Sequence, residues 1–123
     1  MRKFETGATR DDDNSKLDYE GFLSPLVLHR FAEYMHQHRV QTDGTLRASD
    51  NWQKGIPTDA YMKSMFRHFM DLWSAHRQGH ADQDALCALM FNVMGYLHVV
   101  LTSPDANPNT PEQPSEDLCW DVV

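Results

Sequence analysis

The spacing of apolar residues predicts three main helices. The first runs from about Pro25 to His38, because Ser24 and Pro25 form an N-cap and first-turn pair. Its apolar positions recur every three or four residues, at Val27, Leu28, Phe31, Tyr34 and Met35. No run alternates strictly between apolar and polar residues, as a half-buried strand would. The pattern therefore predicts an all-α body, a small helical bundle.

Two further helices are predicted to follow. The second begins with Thr58 as its cap and ends near His76, and we expect a broad, largely buried apolar face made of Tyr61, Met62, Met65, Phe66, Phe69 and Trp73. The third is capped by Asp82, runs from Gln83 to about Leu101 and is apolar nearly all round, as a central helix would be. These faces are wider than one partner helix can cover. We therefore expect a homodimer or a higher homo-oligomer to complete the bundle.

Polar segments lie between and after the predicted helices. Residues 39–57 predict a long loop, and loops of that length in a small domain are usually functional. Residues 102–123 hold four of the six prolines, and we expect this acidic tail to be disordered. Its end at Cys119-Trp120 is interpreted as an unstructured terminus or, alternatively, a short docking peptide. The chain thus divides into a domain of residues 1–101 and a tail.

Charge and hydropathy narrow the class of protein. The formal net charge is −7, of which −5 falls in residues 102–123, so the body is nearly neutral. Without a basic stripe, polymeric nucleic acid is an unsuitable partner, because that binding requires several phosphates to be neutralised together. The acidic stretch Asp11 to Asp13 and the lack of a membrane-length apolar run predict a cytoplasmic protein with no membrane partner.

Polar residues interrupt the second and third predicted helices at helical spacing. Ser64, Arg67, His68 and Asp71 form one stripe, and Asp84, Ala88, Asn92 and Gly95 form another. If the stripes face each other, Asp71 and Asp84 meet beside His68 and Asn92, and such an acidic pocket suits Mg²⁺. The alternative is that Arg67 and Asp71 form a solvated ion pair while Asp84 favours the helix dipole.

The loop contains a second group of candidate residues, in the run Asn51 to Pro57. Trp52 has the shape to stack on a base, Asn51 has the amide groups to read its edge, and Lys54 can hold a phosphate. The alternative interpretation of Trp52 is that it anchors the loop to the core. A nucleotide is therefore one candidate ligand.

The order of motifs adds a resemblance to a known family. Phe4-Glu5-Thr6-Gly7-Ala8 with Arg10-Asp11, then Lys16-Leu17-Asp18, the Asn51 to Pro57 block and Arg67-His68 precede the apolar third helix. This arrangement resembles the small phage-encoded dATP/dGTP diphosphohydrolases, relatives of the MazG-like all-α nucleotide pyrophosphohydrolases. The resemblance covers about residues 2–101.

The resemblance implies that a purine deoxynucleoside triphosphate is cleaved to the monophosphate and pyrophosphate in phage nucleotide-pool control. It implies Mg²⁺, or Mn²⁺, held by Asp71 and Asp84, with His68 activating water. Two of the four carboxylates expected of MazG-like enzymes are replaced here, by His68 and Cys87. The substrate-binding candidates are Lys16, Asp18, Asn51, Trp52, Lys54, Arg67 and Asn92.

Two other functions compete with hydrolysis. The same fold and loop could sequester a nucleotide without cleaving it, which the reduced carboxylate set favours. The exposed helix faces and the end of the tail could instead bind a host protein.

Overall fold

The computed structural model describes residues 2–10 and 15–103 and confirms the all-α class. Its helices are α1 (Tyr19–Phe22), α2 (Pro25–Gln37), α3 (Thr58–Arg77) and α4 (Gln83–Thr102). A minimal antiparallel pair, β1 (Arg2–Lys3) with β2 (Thr9–Arg10), precedes them. The three main helices agree with the predicted ones to within a residue or two at each end.

Side-chain caps fix two of these helix starts as the sequence predicts. The Ser24 hydroxyl accepts a hydrogen bond from Val27 N at 3.2 Å, and Asp82 Oδ1 accepts one from Ala85 N at 2.9 Å. The prediction that Thr58 caps α3 is wrong. Pro57 occupies the cap position in an extended conformation and delivers the chain into the helix, so that Thr58 is already its first residue.

Helix α4 is the centre of the fold, as its composition predicts. It packs along α3, from which it is separated by only residues 78–82, and it also contacts α2. Tyr61 of α3 is 1% exposed and lies against Gly95 of α4, where any added Cβ would overlap the tyrosine ring. On the other side, Tyr34 of α2 packs with Cys87 and Ala88.

The prediction of a buried apolar face on α3 is wrong for most of its members. Among the large residues of that face, Phe66 is 65% exposed and Trp73 is 47% exposed, and Met62 and Phe69 are also exposed. The inward positions of α3 are held by the buried Tyr61 and by partly buried residues, among them Ser64, Met65, His68 and Leu72. Gly95 brings the two helix backbones close at Tyr61. This close approach leaves little room there for another large side chain.

Residues 39–57 are more regular than a loop. Arg39 to Arg47 form a short hairpin with a Val40–Leu46 bridge, and its turn uses Gly44 at a φ of 86°. A 3₁₀ turn follows at Asn51–Lys54. The hairpin escaped the sequence analysis because only the Asp43-Gly44 pair signals it, with a single apolar residue on each arm.

Helix α4 ends one residue into the segment predicted to be a tail. Residues 104–123, including Cys119 and Trp120, lie outside the described residues. By length and composition α4 could cross a membrane, with a mean hydropathy of 1.7 over eighteen residues, of which 28% is buried. One such helix is weak evidence for a membrane span, since the core helix of a soluble protein has a similar composition, and a soluble protein is compatible with this finding.

Candidate functional site

A cavity of about 560 Å³ lies between α2, the 39–57 segment, α3 and α4. Its volume falls within the roughly 300–1,000 Å³ typical of sites for small molecules and cofactors. Tyr34, which contributes to its lining, is buried, and burial raises the pKa of its hydroxyl. The walls alternate between apolar side chains such as Phe31 and Phe91 and polar or cationic ones.

Four of the candidate site residues line this cavity. Asn51 and Trp52 come from the 3₁₀ turn, His68 comes from α3, and Asn92 comes from α4. The two polar stripes therefore do share a site, through the inward members Ser64, His68 and Asn92. The fold brings together at one cavity residues that are up to 41 positions apart in the chain.

Trp52 packs against neighbouring rings and also lines the cavity. It is half-buried, and its indole meets His98 edge-on at 4.8 Å and Phe91 edge-on at 6.3 Å between ring centroids. It also borders a second, smaller cavity of about 390 Å³ that His98 and Thr102 help to line. The alternatives of an anchor and a ligand-stacking plate are thus combined, since two ring contacts fix the orientation of a side chain that still lines the larger cavity.

Asn92 and His68 place polar groups deep in the same space. Asn92 is 4% exposed, and its Nδ2 donates to Ala88 O at 2.7 Å, one helical turn earlier. Its Oδ1 therefore remains as the acceptor that this amide can offer to a ligand. His68 is half-buried on the facing helix and adds a ring nitrogen.

The sequence analysis missed the cations of the cavity. Arg39, Arg47, His36 and His38 all line it, and both histidines are exposed. His38 Nδ1 lies 2.8 Å from Tyr34 O, and because a carbonyl only accepts, Nδ1 carries the hydrogen and Nε2 is the atom left for a ligand. The signal that could have found the two arginines is their symmetric position around the Asp43-Gly44 turn.

The other candidate residues do not line this cavity. Lys16, Lys54, Arg67 and Asp71 are exposed. Asp18 has a structural task, since it caps α1 through a 2.9 Å hydrogen bond from Gly21 N to its Oδ1. The alternative role of Asp18 as a cap, rather than a contact to base or sugar, is the one that its geometry supports.

Asp84 is engaged by a neighbouring cation. Arg30 of α2 donates from Nη2 to Asp84 Oδ1 at 2.7 Å and from Nε to Gln83 Oε1 at 2.8 Å. The hydrogen bond to Asp84 raises the pKa of the Arg30 guanidinium. This contact ties α2 to the first turn of α4, and it takes up the carboxylate oxygen nearest to α2.

Within the described residues, Asp71 and Asp84 are not part of a cluster of metal-binding side chains. Within residues 2–10 and 15–103, no three side chains of His, Cys, Asp or Glu come together as a metal-binding group. Asp84 already faces Arg30, and a hard cation such as Mg²⁺ is normally held by carboxylate oxygens and water. We therefore derive no chemical step through a metal ion.

Comparisons with known proteins add no assignment. No family model, no curated protein and no solved structure matches this chain.

Proposed function

We propose that the protein binds a purine deoxynucleoside triphosphate in the 560 Å³ cavity and cleaves it to the monophosphate and pyrophosphate. The observation that carries the binding step is the convergence of Asn51, Trp52, His68 and Asn92 on one cavity. They supply a stacking ring, two amides and an imidazole, which are the groups that recognise a base and its edge. The cleavage step rests on the family resemblance of the motifs.

Cleavage without a bound metal in this chain would depend on His68. Its imidazole can accept a proton from water at a phosphorus atom, provided that a cation nearby stabilises the charge that develops on the phosphate oxygens. Asp71 on α3 is exposed, three residues along from His68. It is positioned to contribute only where a second chain covers this part of α3.

Nucleotide binding without cleavage is the second candidate, and a specific observation favours it. The side chains that line the cavity within the described part of the chain include two arginines and three histidines but no carboxylate. Such a lining suits a polyanion, whereas metal-assisted hydrolysis requires acidic ligands. A sequestering protein would need only this lining.

We propose that the exposed apolar surface of α3 and α4 is covered by a second copy of the chain. Its members on α3 are Phe66, Phe69 and Trp73, and on α4 they include Val93, Leu97 and Leu101. Large exposed apolar side chains on two long helices are typical of a surface that another protein covers.

The experiment that tests the function incubates the purified protein with each of the four dNTPs, with Mg²⁺ or with EDTA. Chromatography then follows triphosphate, monophosphate and pyrophosphate, and calorimetry on the same samples measures binding. We expect a purine dNTP to bind and to be converted to monophosphate and pyrophosphate. Binding with no product would establish the sequestering function, and no binding by any dNTP would contradict both.

Two variants locate the activity. Trp52→Ala should weaken binding of the nucleotide roughly 5- to 150-fold, because base–aromatic stacking contributes about 1–3 kcal/mol. If a second chain completes the site around Asp71, Asp71→Asn should abolish turnover while leaving nucleotide binding and the helical signal in circular dichroism intact. Asp59→Asn is the matched control, since Asp59 is exposed in the first turn of the same helix and does not line the cavity.

A further inference from the structure

We propose that Arg39 and Arg47 form a subsite that binds the oligophosphate group of the ligand directly, without a metal ion. The inference rests on the proposed function, in that it assigns one end of the nucleotide to one part of the same cavity. It differs from the sequence analysis, which gave the phosphates to Lys16, Lys54 and Arg67.

The backbone of the hairpin holds the two arginines side by side. Arg47 N donates to Arg39 O at 2.8 Å, and Arg39 Nε donates back to Arg47 O at 2.8 Å. The turn that closes the hairpin is itself fixed, because Gln41 N donates to Thr45 O at 2.8 Å. Arg39 is half-buried, so its guanidinium is oriented before any ligand arrives.

That orientation leaves the phosphate-binding edge of each guanidinium unused. The hydrogen bond of Arg39 employs Nε alone, and among the described residues neither Arg39 nor Arg47 forms an ion pair with a carboxylate. Guanidinium groups bind phosphate oxygens through paired hydrogen bonds that are stronger than those between neutral groups. Two such groups on adjacent hairpin arms match a chain of two or three phosphates better than a single phosphate.

Neighbouring side chains of the cavity reinforce this preference for an anion. His36 and His38 line it beside the arginines and add no negative charge. With no carboxylate among the lining residues of the described chain, nothing there competes for the two guanidinium groups. A metal ion is therefore not needed to shield the negative charges of the phosphates from protein carboxylates.

The subsite is also joined to the stacking residue by a short piece of chain. Ala48 O accepts a hydrogen bond from Asn51 N at 3.0 Å, which links the end of the hairpin to the start of the 3₁₀ turn. Trp52 thus follows Arg47 by five residues along a segment with internal hydrogen bonds. The base and the phosphates of one nucleotide would contact two ends of the same segment.

The test measures binding of inorganic tripolyphosphate by calorimetry in the presence of EDTA. The wild type should bind it, and Arg47→Gln should weaken that binding about tenfold or more, because charge-assisted hydrogen bonds are lost. Within the described residues the side chain of Arg47 makes no hydrogen bond or ion pair, so this variant keeps the hairpin even if Arg39→Gln does not fold. Arg77→Gln, at the exposed end of α3, is the matched control and should bind like the wild type.

The outcomes separate the subsite from the proposed function. No binding of tripolyphosphate in EDTA, or equal binding by wild type and Arg47→Gln, would overturn the subsite, and a dNTP that still bound would leave the proposed function standing. Binding of tripolyphosphate that depends on Arg47, with no binding of any dNTP, would support the subsite and overturn the nucleotide function. Deoxyadenosine has no phosphate, so its binding affinity should be the same for the wild type and for Arg47→Gln.

Discussion

The inner and outer sides of α3 differ less in polarity than the two sides of a typical amphipathic helix. On the inner side, toward α4 and the cavity, His68 is half-buried. The next residue, Phe69, belongs to the outer side and is 49% exposed. An amphipathic helix normally turns its aromatic residues to the core and its polar residues to water. This distribution indicates that the inner side packs against α4 and lines the cavity, while the outer side is available to contact another protein surface.

Small residues on α4 explain how the inner side remains so narrow. Ala88 and Gly95 are buried and leave room for Tyr61 but for little else. The polar Asn92 lies between them and satisfies its amide nitrogen within its own helix. The core of the single chain is therefore thin, and the large apolar side chains that would thicken it lie on the outer side.

The largest expected effect is a change of oligomeric state after substitutions on the outer side of α3 alone. Phe66→Glu combined with Phe69→Glu should convert the proposed homodimer to a monomer, because two buried charges would replace two aromatic contacts in the interface. Light scattering after size-exclusion chromatography would report a halved mass. The helical signal in circular dichroism should persist, since both side chains are exposed within the chain itself.

Lys63→Glu is the control for that experiment, as it adds a negative charge at an exposed position of the same helix. It should leave the mass of the assembly unchanged. A wild-type protein that is already a monomer at micromolar concentration would contradict the dimer, and would assign the outer side to a different partner.

The next effect concerns the inner side and is one of stability. Gly95→Ala should lower the free energy of unfolding by about 1–3 kcal/mol, because the new Cβ would overlap the Tyr61 ring in a tightly packed contact. Tyr61→Phe should act in the opposite direction, by about 1 kcal/mol, since the buried Tyr61 hydroxyl has no hydrogen-bond partner. Denaturant unfolding at a fixed protein concentration measures both.

Leu101→Ala supplies the comparison on the outer side of α4, where the side chain is 67% exposed. Its effect on unfolding of the single chain should be smaller than that of Gly95→Ala. Equal stability of Gly95→Ala and wild type would show that the two helices can separate at this point, and the close inner contact would then be wrong.

The sequence predicts the helices well because their signals are local. Ser24 and Asp82 each supply a cap within three residues of the amide that they bind, and the apolar spacing does the rest. It does not predict which side of α3 turns inward, because Phe66 and His68 both satisfy helical periodicity. That choice depends on the small residues of α4, which act across the interface rather than along the helix.

The residues of the candidate site also fall into two groups, those that the sequence predicts and those that it does not. Asn51, Trp52, His68 and Asn92 could be found from residue type and spacing, and the fold brings them to one cavity. Arg39 and Arg47 were missed, because each is an isolated cation in a polar segment unless the Asp43-Gly44 turn is recognised as a hairpin that pairs them. The predicted meeting of Asp71 with Asp84 depended on two stripes facing each other along their whole length, whereas Asp84 is bound to Arg30 of a third helix. It remains a prediction for an assembled protein.

The smallest expected effect concerns the turn that holds the cavity's two arginines. The Thr45 hydroxyl and the Thr45 backbone N–H donate to Asp43 Oδ1 at 2.6 and 2.9 Å and lower the pKa of this carboxyl below its ordinary value of 3.8. A group with a lowered pKa stabilises the folded turn above its unfolded pKa, and that contribution is lost as the pH falls through the lower, folded value. Because Asp43 is exposed, the effect should be confined to the hairpin. An NMR titration should show the Thr45 amide shifting below pH 3.8 in the wild type and not in Asp43→Asn, while the amides of α4 stay unchanged; a Thr45 amide that titrates equally in both would contradict the contact.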